Sequence, residues 1–273
     1  MPTRDERVQI TVDAERIAGT VISPGTLIPG VLFVHGWGGS QAQYQARARE
    51  VAALGCVCLT FDLRGHADTL PKFKTVSREM NLRDVEAAYD WLANRNEVDP
   101  SSIAVIGSSY GGYLAAILTT IRPVRWLGLR APALYRDANW EVAKLQLAQE
   151  QDLHSYRSQL VPMDDNRALK ACHAFKGDIL LVESELDSIV PATVLTSYRE
   201  ASKAARSLTY RCIEGADHGL TLEGNQAAYN ALLVKWLKEM ISGARKNVEA
   251  TPPPEPAAQP EVPPESHRDR VTS

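Results

Sequence analysis

The sequence predicts an α/β domain in which helices cover both faces of a mostly parallel sheet. Short apolar runs typical of buried strands alternate with amphipathic segments at helical spacing. A G-x-S-x-G pattern lies between one of these strands and an apolar helix. The chain has 273 residues, 44% of them hydrophobic, which is enough for one large domain or two small ones.

The predicted elements follow one another without an internal repeat. The chain opens with a predicted antiparallel pair of strands at 7–12 and 16–22. Short apolar runs predict the later strands at 30–35, 56–61, 103–106, 126–129, 179–182 and 208–213. Apolar residues at helical spacing predict helices at 44–54, 82–92, 110–121, 191–205 and 233–240.

The alternation breaks once, between the strand that ends near Arg130 and the one that begins at Ile179. The interval has helical character over 140–151. Because structureless loops of that length are uncommon inside a compact domain, we expect residues 132–176 to be an insertion with helices of its own.

The composition changes sharply near Val248. Residues 251–265 are rich in proline and poor in large aliphatic side chains. Such a segment buries too little apolar area to offset its ordering entropy. The sequence therefore predicts a domain over 1–247 and a disordered or polyproline-like tail over 248–273. Binding of the tail to a proline-recognising protein is the alternative.

Charge and composition exclude several classes of function. Lys and Arg total 30 against 33 for Asp and Glu, so no basic excess indicates nucleic-acid binding. No apolar run reaches the roughly 18 residues of a membrane span, and no apolar leader follows the N-terminus. The cysteines are not spaced as redox or zinc pairs. We expect a cytoplasmic protein with no metal ion and no cofactor.

The strongest chemical signal is the segment G-S-S-Y-G at 107–111, which centres on Ser109. A strand precedes it and an apolar helix follows, which is the context that an exposed nucleophile requires. Glycines allow the sharp turn that presents such a serine at the end of a strand. Ser108 is out of register with the glycines and is the weaker candidate.

A serine nucleophile needs a base, and the base needs a carboxylate that orients it. His218 follows the last predicted strand and lies among small residues, where it can extend into a cleft. Asp187 lies at the carboxyl end of the penultimate strand, with Glu183 and Glu185 as competitors. The chain order of Ser109, Asp187 and His218 is nucleophile, acid, base.

Two backbone N–H groups are candidates for an oxyanion hole, those of Trp37 and Tyr110. Trp37 lies in the glycine-rich segment H-G-W-G-G-S at 35–40, and Tyr110 follows Ser109 at the start of a helix. A phosphate-binding loop is the alternative for 35–40, but the segment lacks the lysine and the spacing of that motif.

Together these segments resemble the α/β-hydrolase superfamily in its serine-hydrolase branch. The sequence H-G-W-G-G-S is similar to the family's oxyanion loop, F-D-L-R-G-H at 61–66 to its D-x-R-G-x-G segment, and G-S-S-Y-G-G to its nucleophile elbow. D-S-I-V-P and A-D-H-G are similar to its acid and histidine loops. The chain departs from the family at His66 and Ser184, where glycine is usual. The elbow is also similar to those of prolyl-oligopeptidase-type peptidases and feruloyl esterases.

The resemblance implies an α/β-hydrolase fold with eight strands and a helical lid inserted after strand six. The lid falls on residues 132–176, which we expect to roof the cleft above Ser109. Tyr135, Trp140 and Tyr156 are then expected to supply apolar pocket wall. The alternative is that these aromatic rings only form the core of the lid itself.

The resemblance implies a hydrolase of small carboxylic esters, which would be its small-molecule partners. Amide or peptide hydrolysis by the same triad is the alternative, disfavoured because the chain carries no propeller domain to select a peptide. A non-catalytic binding protein is disfavoured by the intact triad. Arg130 and Arg136 flank the predicted lid and are candidate ligands of a substrate carboxylate, but the sequence favours a solvated position for both. Fold alone does not assign a substrate.

Overall fold

The computed structural model describes residues 4–23 and 28–249, and within them eight strands form one sheet. The strands are β1 (Arg4–Val12), β2 (Glu15–Ser23), β3 (Ile28–Val34), β4 (Val57–Phe61), β5 (Val98–Ser108), β6 (Trp126–Arg130), β7 (Asp178–Ser184) and β8 (Ser207–Ile213). The α-helices are α1 (Ala42–Ala52), α2 (Arg78–Ala93), α3 (Tyr110–Leu118), α4 (Lys144–Glu150), α5 (Leu153–Arg157), α6 (Arg167–Ala174), α7 (Ala192–Ala201) and α8 (Glu223–Glu249). The predicted tail at 248–273 lies outside the described residues, except for 248 and 249 at the end of α8.

The strands lie in the order β1-β2-β4-β3-β5-β6-β7-β8. The first two pairings, β1 with β2 and β2 with β4, are antiparallel, and every later pairing is parallel. Because β3 to β8 run parallel, the loops that follow them meet at one edge of the sheet. The predicted mostly parallel, eight-stranded sheet is confirmed.

Helices cover both faces of the sheet because its central strands are apolar on both sides. Along β3, Leu32 and Val34 face one buried cluster, whereas Val31 and Phe33 face the other. This alternation follows from the two-residue period of a strand. The first cluster contains apolar residues of α2, α3, α6 and α7, and the second contains those of α1 and α8.

The segment after β6 forms three short helices, α4 to α6, but the first of them is shorter than predicted. Helical structure was expected from Trp140, and α4 begins at Lys144. The backbone between these two residues forms hydrogen bonds with a distant part of the chain instead. The Trp140 carbonyl accepts from Glu79 N at 3.2 Å, and Lys144 N donates to Val76 O at 2.9 Å. At the other end of the segment, α6 packs on α3 and α7 and joins the layer of helices on the sheet.

Two buried histidines fix the loop after β3 to the loop after β4. His35 Nε2 accepts from Leu63 N at 3.0 Å, and His66 Nε2 accepts from Gly38 N at 3.0 Å. The two rings lie edge to face with centroids 4.9 Å apart. Since each Nε2 is an acceptor, both rings are neutral, with the proton on Nδ1. Burial lowers the pKa of His35 to about 4 and also lowers that of His66.

A buried ion pair attaches the loop after β4 to α2. Arg64 Nε donates to Asp84 Oδ1 at 2.5 Å, and Arg64 N donates to Asp84 Oδ2 at 2.8 Å. Asn81 donates to Arg64 O and accepts from the Tyr110 hydroxyl, which extends the network to the first residue of α3. Burial raises the pKa of Asp84 to about 6, against the opposing charge of Arg64. These bonds set the position of α2 relative to the turn before α3.

Replacing Asp84 with alanine is expected to lower the free energy of unfolding by about 3 kcal/mol, because the buried Arg64 charge loses its buried partner and keeps the half-exposed Asp13 at 3.2 Å. The measurement is urea denaturation of wild type and variant. Asp90→Ala is the matched control on the same helix, since its carboxylate pairs with Arg122 and is 44% exposed. We expect the control to lose less than about 1 kcal/mol. Equal losses in the two variants would contradict a structural role for the buried pair.

The neutral histidines also predict how stability depends on pH. The folded pKa of His35, about 4, lies below its ordinary value of 6.5, so the unfolded chain binds the extra proton first. Stability from this group is therefore complete above pH 6.5 and is lost as the pH falls toward 4, by at most about 1.4 kcal/mol per pH unit for each proton. Denaturation measured between pH 7 and pH 4.5 should show a shallower slope for His35→Gln than for wild type. Replacement of the exposed His154 with Gln should leave the slope unchanged, and identical slopes in all three proteins would contradict the prediction.

Candidate active site

Ser109 occupies a strained turn between β5 and α3. Its φ is 53° and its ψ is −117°, a conformation that costs a non-glycine residue of order 1–3 kcal/mol. The turn is tight because neighbouring backbones leave no room for side chains at two positions. A Cβ on Gly107 would overlap the Gly111 carbonyl oxygen, and a Cβ on Gly111 would overlap the Val34 carbonyl oxygen. The two glycines of the predicted motif are thus required by close approach of the chain.

The three predicted catalytic side chains form one hydrogen-bonded chain. His218 Nε2 lies 3.0 Å from Ser109 Oγ, and His218 Nδ1 lies 2.6 Å from Asp187 Oδ2. These distances are within the range of a serine, a base and an orienting carboxylate. The side chain of Asp187 is 3% exposed and that of His218 is 16% exposed, so the carboxylate lies behind the imidazole, away from solvent.

Asp187 is held as a carboxylate by three hydrogen-bonding groups around it. Its Oδ1 accepts from Ile189 N and Val190 N, both at 2.8 Å, and its Oδ2 contacts His218. Burial alone would raise the pKa of Asp187, but the hydrogen bonds from His218, Val190 and Ile189 hold it below its ordinary value. A charged carboxylate at this position orients the imidazole and stabilises its protonated form.

The competing carboxylates, Glu183 and Glu185, are bonded to other groups. The Tyr210 hydroxyl donates to Glu183 Oε2, and Gly215 N donates to Glu185 Oε2 at 2.7 Å. Of the three acidic residues considered from the sequence, Asp187 is the one that contacts His218.

The predicted oxyanion loop lies directly beside the serine. A Cβ on Gly36 would lie 4.0 Å from Ser109 Oγ, which places the backbone just before Trp37 against the nucleophile. Tyr110 begins α3, and the first N–H groups of a helix have no partner within the helix. The backbone at Trp37 and at Tyr110 is therefore close to Ser109, and the role of their N–H groups as oxyanion donors stays a prediction.

A cavity of about 390 Å³ opens beside Ser109. It lies between the loop after β3, the start of α1, the end of β6 and the histidine loop. Its lining residues are Gly36, Trp37, Gly38, Gly39, Gln43, Tyr44, Arg47, Ser108, Ser109, Arg130, His218, Gly219, Leu220 and Gln226. No carboxylate side chain and no residue of 132–176 lines this cavity.

The aromatic residues predicted for the pocket wall lie elsewhere. Tyr135 and Tyr156 are buried in the larger core cluster, and Trp140 packs against that cluster. The ring centroids of Tyr135 and Tyr113 are 5.0 Å apart. The Tyr113 ring in turn stacks on that of Trp140, with 5.8 Å between the ring centroids. The rings therefore pack on α3 and the main core of the domain, instead of forming a separate core within the segment. Their contribution to substrate choice, and the role of 132–176 as a lid, stay predictions.

The structure brings two arginines to the cavity that sequence reasoning did not place there. Arg130 was expected to be solvated, but it is 8% exposed and donates through Nη1 to the His218 carbonyl at 2.7 Å. Arg47 lies on α1, where nothing in the local sequence distinguishes it from a surface arginine. The position of Arg130 at the end of a strand, like that of Ser109 and Asp187, is the signal that sequence reasoning underweighted. Arg136 is exposed, as expected.

Two negative observations complete the description of residues 4–23 and 28–249. No group of three or more His, Cys, Asp or Glu side chains is arranged there to hold a metal ion. None of the helices there combines the length and the apolar character that crossing a bilayer requires.

Comparison with known proteins places this architecture in a family. Residues 42–244 match the model of the prolyl oligopeptidase family. An uncharacterized protein of Mycobacterium tuberculosis (strain ATCC 25618 / H37Rv) is 28% identical over 220 residues, which are 80% of this chain and 73% of that protein.

Two solved structures show the same fold at low sequence identity. DcsB in complex with its substrate analogue superposes with a TM-score of 0.68 at 17% identity, covering 88% of this chain and 99% of that one. The Pyrococcus furiosus esterase Pf2001 superposes with a TM-score of 0.65 at 19% identity, covering 86% of this chain and 92% of that one. The sheet order, the strained turn and the family match lead to one conclusion: this chain belongs to the prolyl oligopeptidase family and is a hydrolase of the α/β-hydrolase type.

Proposed function

We propose that the protein cleaves small carboxylic esters through an acyl-enzyme formed on Ser109. The observation that carries the proposal is the continuous chain from Ser109 Oγ through the His218 ring to Asp187, with distances of 3.0 and 2.6 Å. Three separate loops at one edge of the sheet contribute these three residues, beside a cavity that can admit a substrate.

In the first half-reaction, His218 Nε2 takes the proton of Ser109 as Oγ attacks the ester carbonyl carbon. The carbonyl oxygen becomes an oxyanion, and Asp187 stabilises the imidazolium. The N–H groups of Trp37 and Tyr110 donate to the oxyanion, where preorganised donors contribute most. The intermediate collapses when the carbon–oxygen bond to the alcohol breaks, and His218 gives its proton to the leaving alkoxide.

In the second half-reaction, a water molecule replaces the alcohol. His218 takes a proton from the water as its oxygen attacks the acyl carbon, which forms a second oxyanion in the same place. The bond to Ser109 Oγ then breaks and His218 returns the proton to the serine. The products are one alcohol and one carboxylic acid, and the enzyme is unchanged.

The cavity favours esters over peptides with a free N-terminus. An aminopeptidase needs an anionic group that pairs with the substrate ammonium, and the residues lining this cavity include no Asp or Glu. Amide hydrolysis is the second candidate, because the prolyl oligopeptidase family match covers residues 42–244. The same triad serves either reaction.

Removing a member of the triad is expected to abolish most of the turnover of 4-nitrophenyl acetate. Ser109→Ala, His218→Ala and Asp187→Asn should each lower kcat by on the order of 10³ or more, because the three residues act as a unit. A fluorophosphonate probe should label the wild type and leave Ser109→Ala unlabelled. Glu183→Gln is the matched control for Asp187→Asn and should retain wild-type turnover. Labelling at Ser108, or loss of activity in Glu183→Gln with retention in Asp187→Asn, would show that the triad is misassigned.

A panel of 4-nitrophenyl acyl esters and aminoacyl 4-nitroanilides tests ester against amide hydrolysis. We expect kcat/KM for the esters to exceed that for anilides with the same acyl group by about 10² or more after subtraction of the spontaneous rates. Anilide turnover that equals or exceeds ester turnover would favour the amide reaction. Turnover of neither class, together with absent fluorophosphonate labelling, would contradict the proposed function.

A further inference from the structure

The cavity beside Ser109 is cationic. Arg47 and Arg130 line it, and the uncharged polar groups Gln43 and Gln226 line it with them. No acidic side chain is among the lining residues. A cavity that focuses positive charge beside a nucleophile attracts an anionic substrate.

Arg47 is held in place by groups that leave its charge uncompensated. Its Nε donates to Asn230 Oδ1 at 2.7 Å, and its guanidinium lies 4.6 Å from the ring centre of Tyr229 and 5.3 Å from that of Tyr44. Glu50, one turn along α1, accepts from Asn230 at 3.4 Å instead of pairing with the arginine. Arg47 is therefore oriented by neutral groups, and its side chain lines the cavity.

Arg130 is the more deeply buried of the two cations. Its Nε donates to Ser108 Oγ at 3.3 Å, and its Nη1 donates to the His218 carbonyl. The carboxylate of Asp217 interacts with its charge, but Asp217 is exposed and bonded to Thr221. Arg130 thus contributes positive charge at the base of the cavity while it also joins the nucleophile turn to the histidine loop.

The two arginines are charges that the described part of the protein does not pair. Arg64, at the centre of the fold, has Asp84 as its carboxylate partner. Other buried cations such as Arg78 and Arg157 bond to backbone carbonyl groups, but neither of them lines the cavity beside Ser109. Within residues 4–23 and 28–249, neither Arg47 nor Arg130 has a carboxylate at ion-pair distance. Buried and half-buried guanidinium groups of this kind are suited to bind a carboxylate through two parallel hydrogen bonds.

We propose that the ester substrate carries a carboxylate group, which Arg47 binds in this cavity while Arg130 adds to the positive potential. The proposal rests on the proposed function, because it assigns the substrate class of the same site. The substrate is a monoester of a dicarboxylic acid or an ester of a hydroxy acid, according to which side of the scissile bond enters the cavity. The uncharged counterpart of such a substrate lacks the bond to Arg47 and is cleaved more slowly.

Two matched pairs of chromogenic or phenolic esters test the proposal on both sides of the scissile bond. Mono-4-nitrophenyl adipate is compared with its methyl-capped neutral form, and 4-acetoxyphenylacetate with its methyl ester. The variant Arg47→Met keeps the length of the side chain without the charge. Arg49→Met is the matched control on the same helix, since Arg49 pairs with Asp5 on the surface.

In the wild type, the anionic member of at least one pair should have a kcat/KM about tenfold or more above that of its neutral form. Arg47→Met should remove this preference, because it lowers kcat/KM for the anionic ester about tenfold more than kcat/KM for the neutral ester. Arg47→Lys should restore part of the preference, and Arg49→Met should keep all of it. The preference should also weaken as salt is raised from 0.05 to 0.5 M, amounts chosen to span the screening range.

The failure of this proposal differs from the failure of the proposed function. If both neutral esters are cleaved as well as their anionic forms, or Arg47→Met slows the two members of a pair equally, the carboxylate proposal is overturned and the esterase stands. If no ester is cleaved, calorimetric titration of the wild type and of Arg47→Met with adipate decides the matter. Weaker binding to Arg47→Met, by about tenfold or more, would support an anion site, and equal or absent binding to both proteins would overturn it.

Discussion

The turn between β5 and α3 is the constraint on which the rest of the site depends. It places Ser109 in a conformation that side chains rarely adopt, and it brings the backbones of 107, 111 and β3 so close that only glycine fits at two positions. The turn is held from the side by Ser109 N, which donates to the Arg130 carbonyl at 2.9 Å, and by Ala133 N, which donates to the Ser109 carbonyl at 3.0 Å. The neighbouring strand therefore stabilises a local geometry that is unfavourable by itself.

The loops around that turn depend on groups that stay uncharged or are paired out of reach of solvent. His35 and His66 serve as neutral acceptors, and Arg64 and Asp84 neutralise each other below the loop. The polar contacts form a connected set from the loop after β3, through α2, to the first residue of α3. The residues that line the cavity differ from these, because the guanidinium groups of Arg47 and Arg130 bond to uncharged groups. The charge of Arg64 is thus balanced within the framework, whereas Arg47 and Arg130 have no carboxylate at ion-pair distance among the described residues.

Much of the fold could be predicted from the sequence because its strands are short, apolar and separated by turn residues. The three catalytic candidates were identified for a related reason: each lies where a strand ends, and the carboxyl ends of parallel strands share an edge. The start of α4 was not predictable, because the backbone of 140–144 forms hydrogen bonds with that of 76–79. Such non-local hydrogen bonds do not change the spacing of apolar residues along the sequence. The positions of Tyr135, Trp140 and Tyr156 were ambiguous for a similar reason, since an aromatic residue suits a pocket wall and a core equally well. Arg47 was missed because its neighbours, Asn230 and Tyr229, are distant in the sequence.

The two buried histidines have a consequence for the energetics of the reaction. In water, dipoles must reorient around a developing negative charge, and that reorganisation is a large part of the barrier. Here the peptide groups of 36–38 are oriented before any substrate arrives, since Gly36 O accepts from His35 Nδ1 at 2.8 Å and Gly38 N donates to His66. The peptide group that carries the Trp37 N–H is held by the first of these bonds, and the next peptide group along the chain by the second. For the proposed oxyanion donor, the Trp37 N–H, the reorganisation that solvent would undergo in each turnover is thereby completed once, when the chain folds.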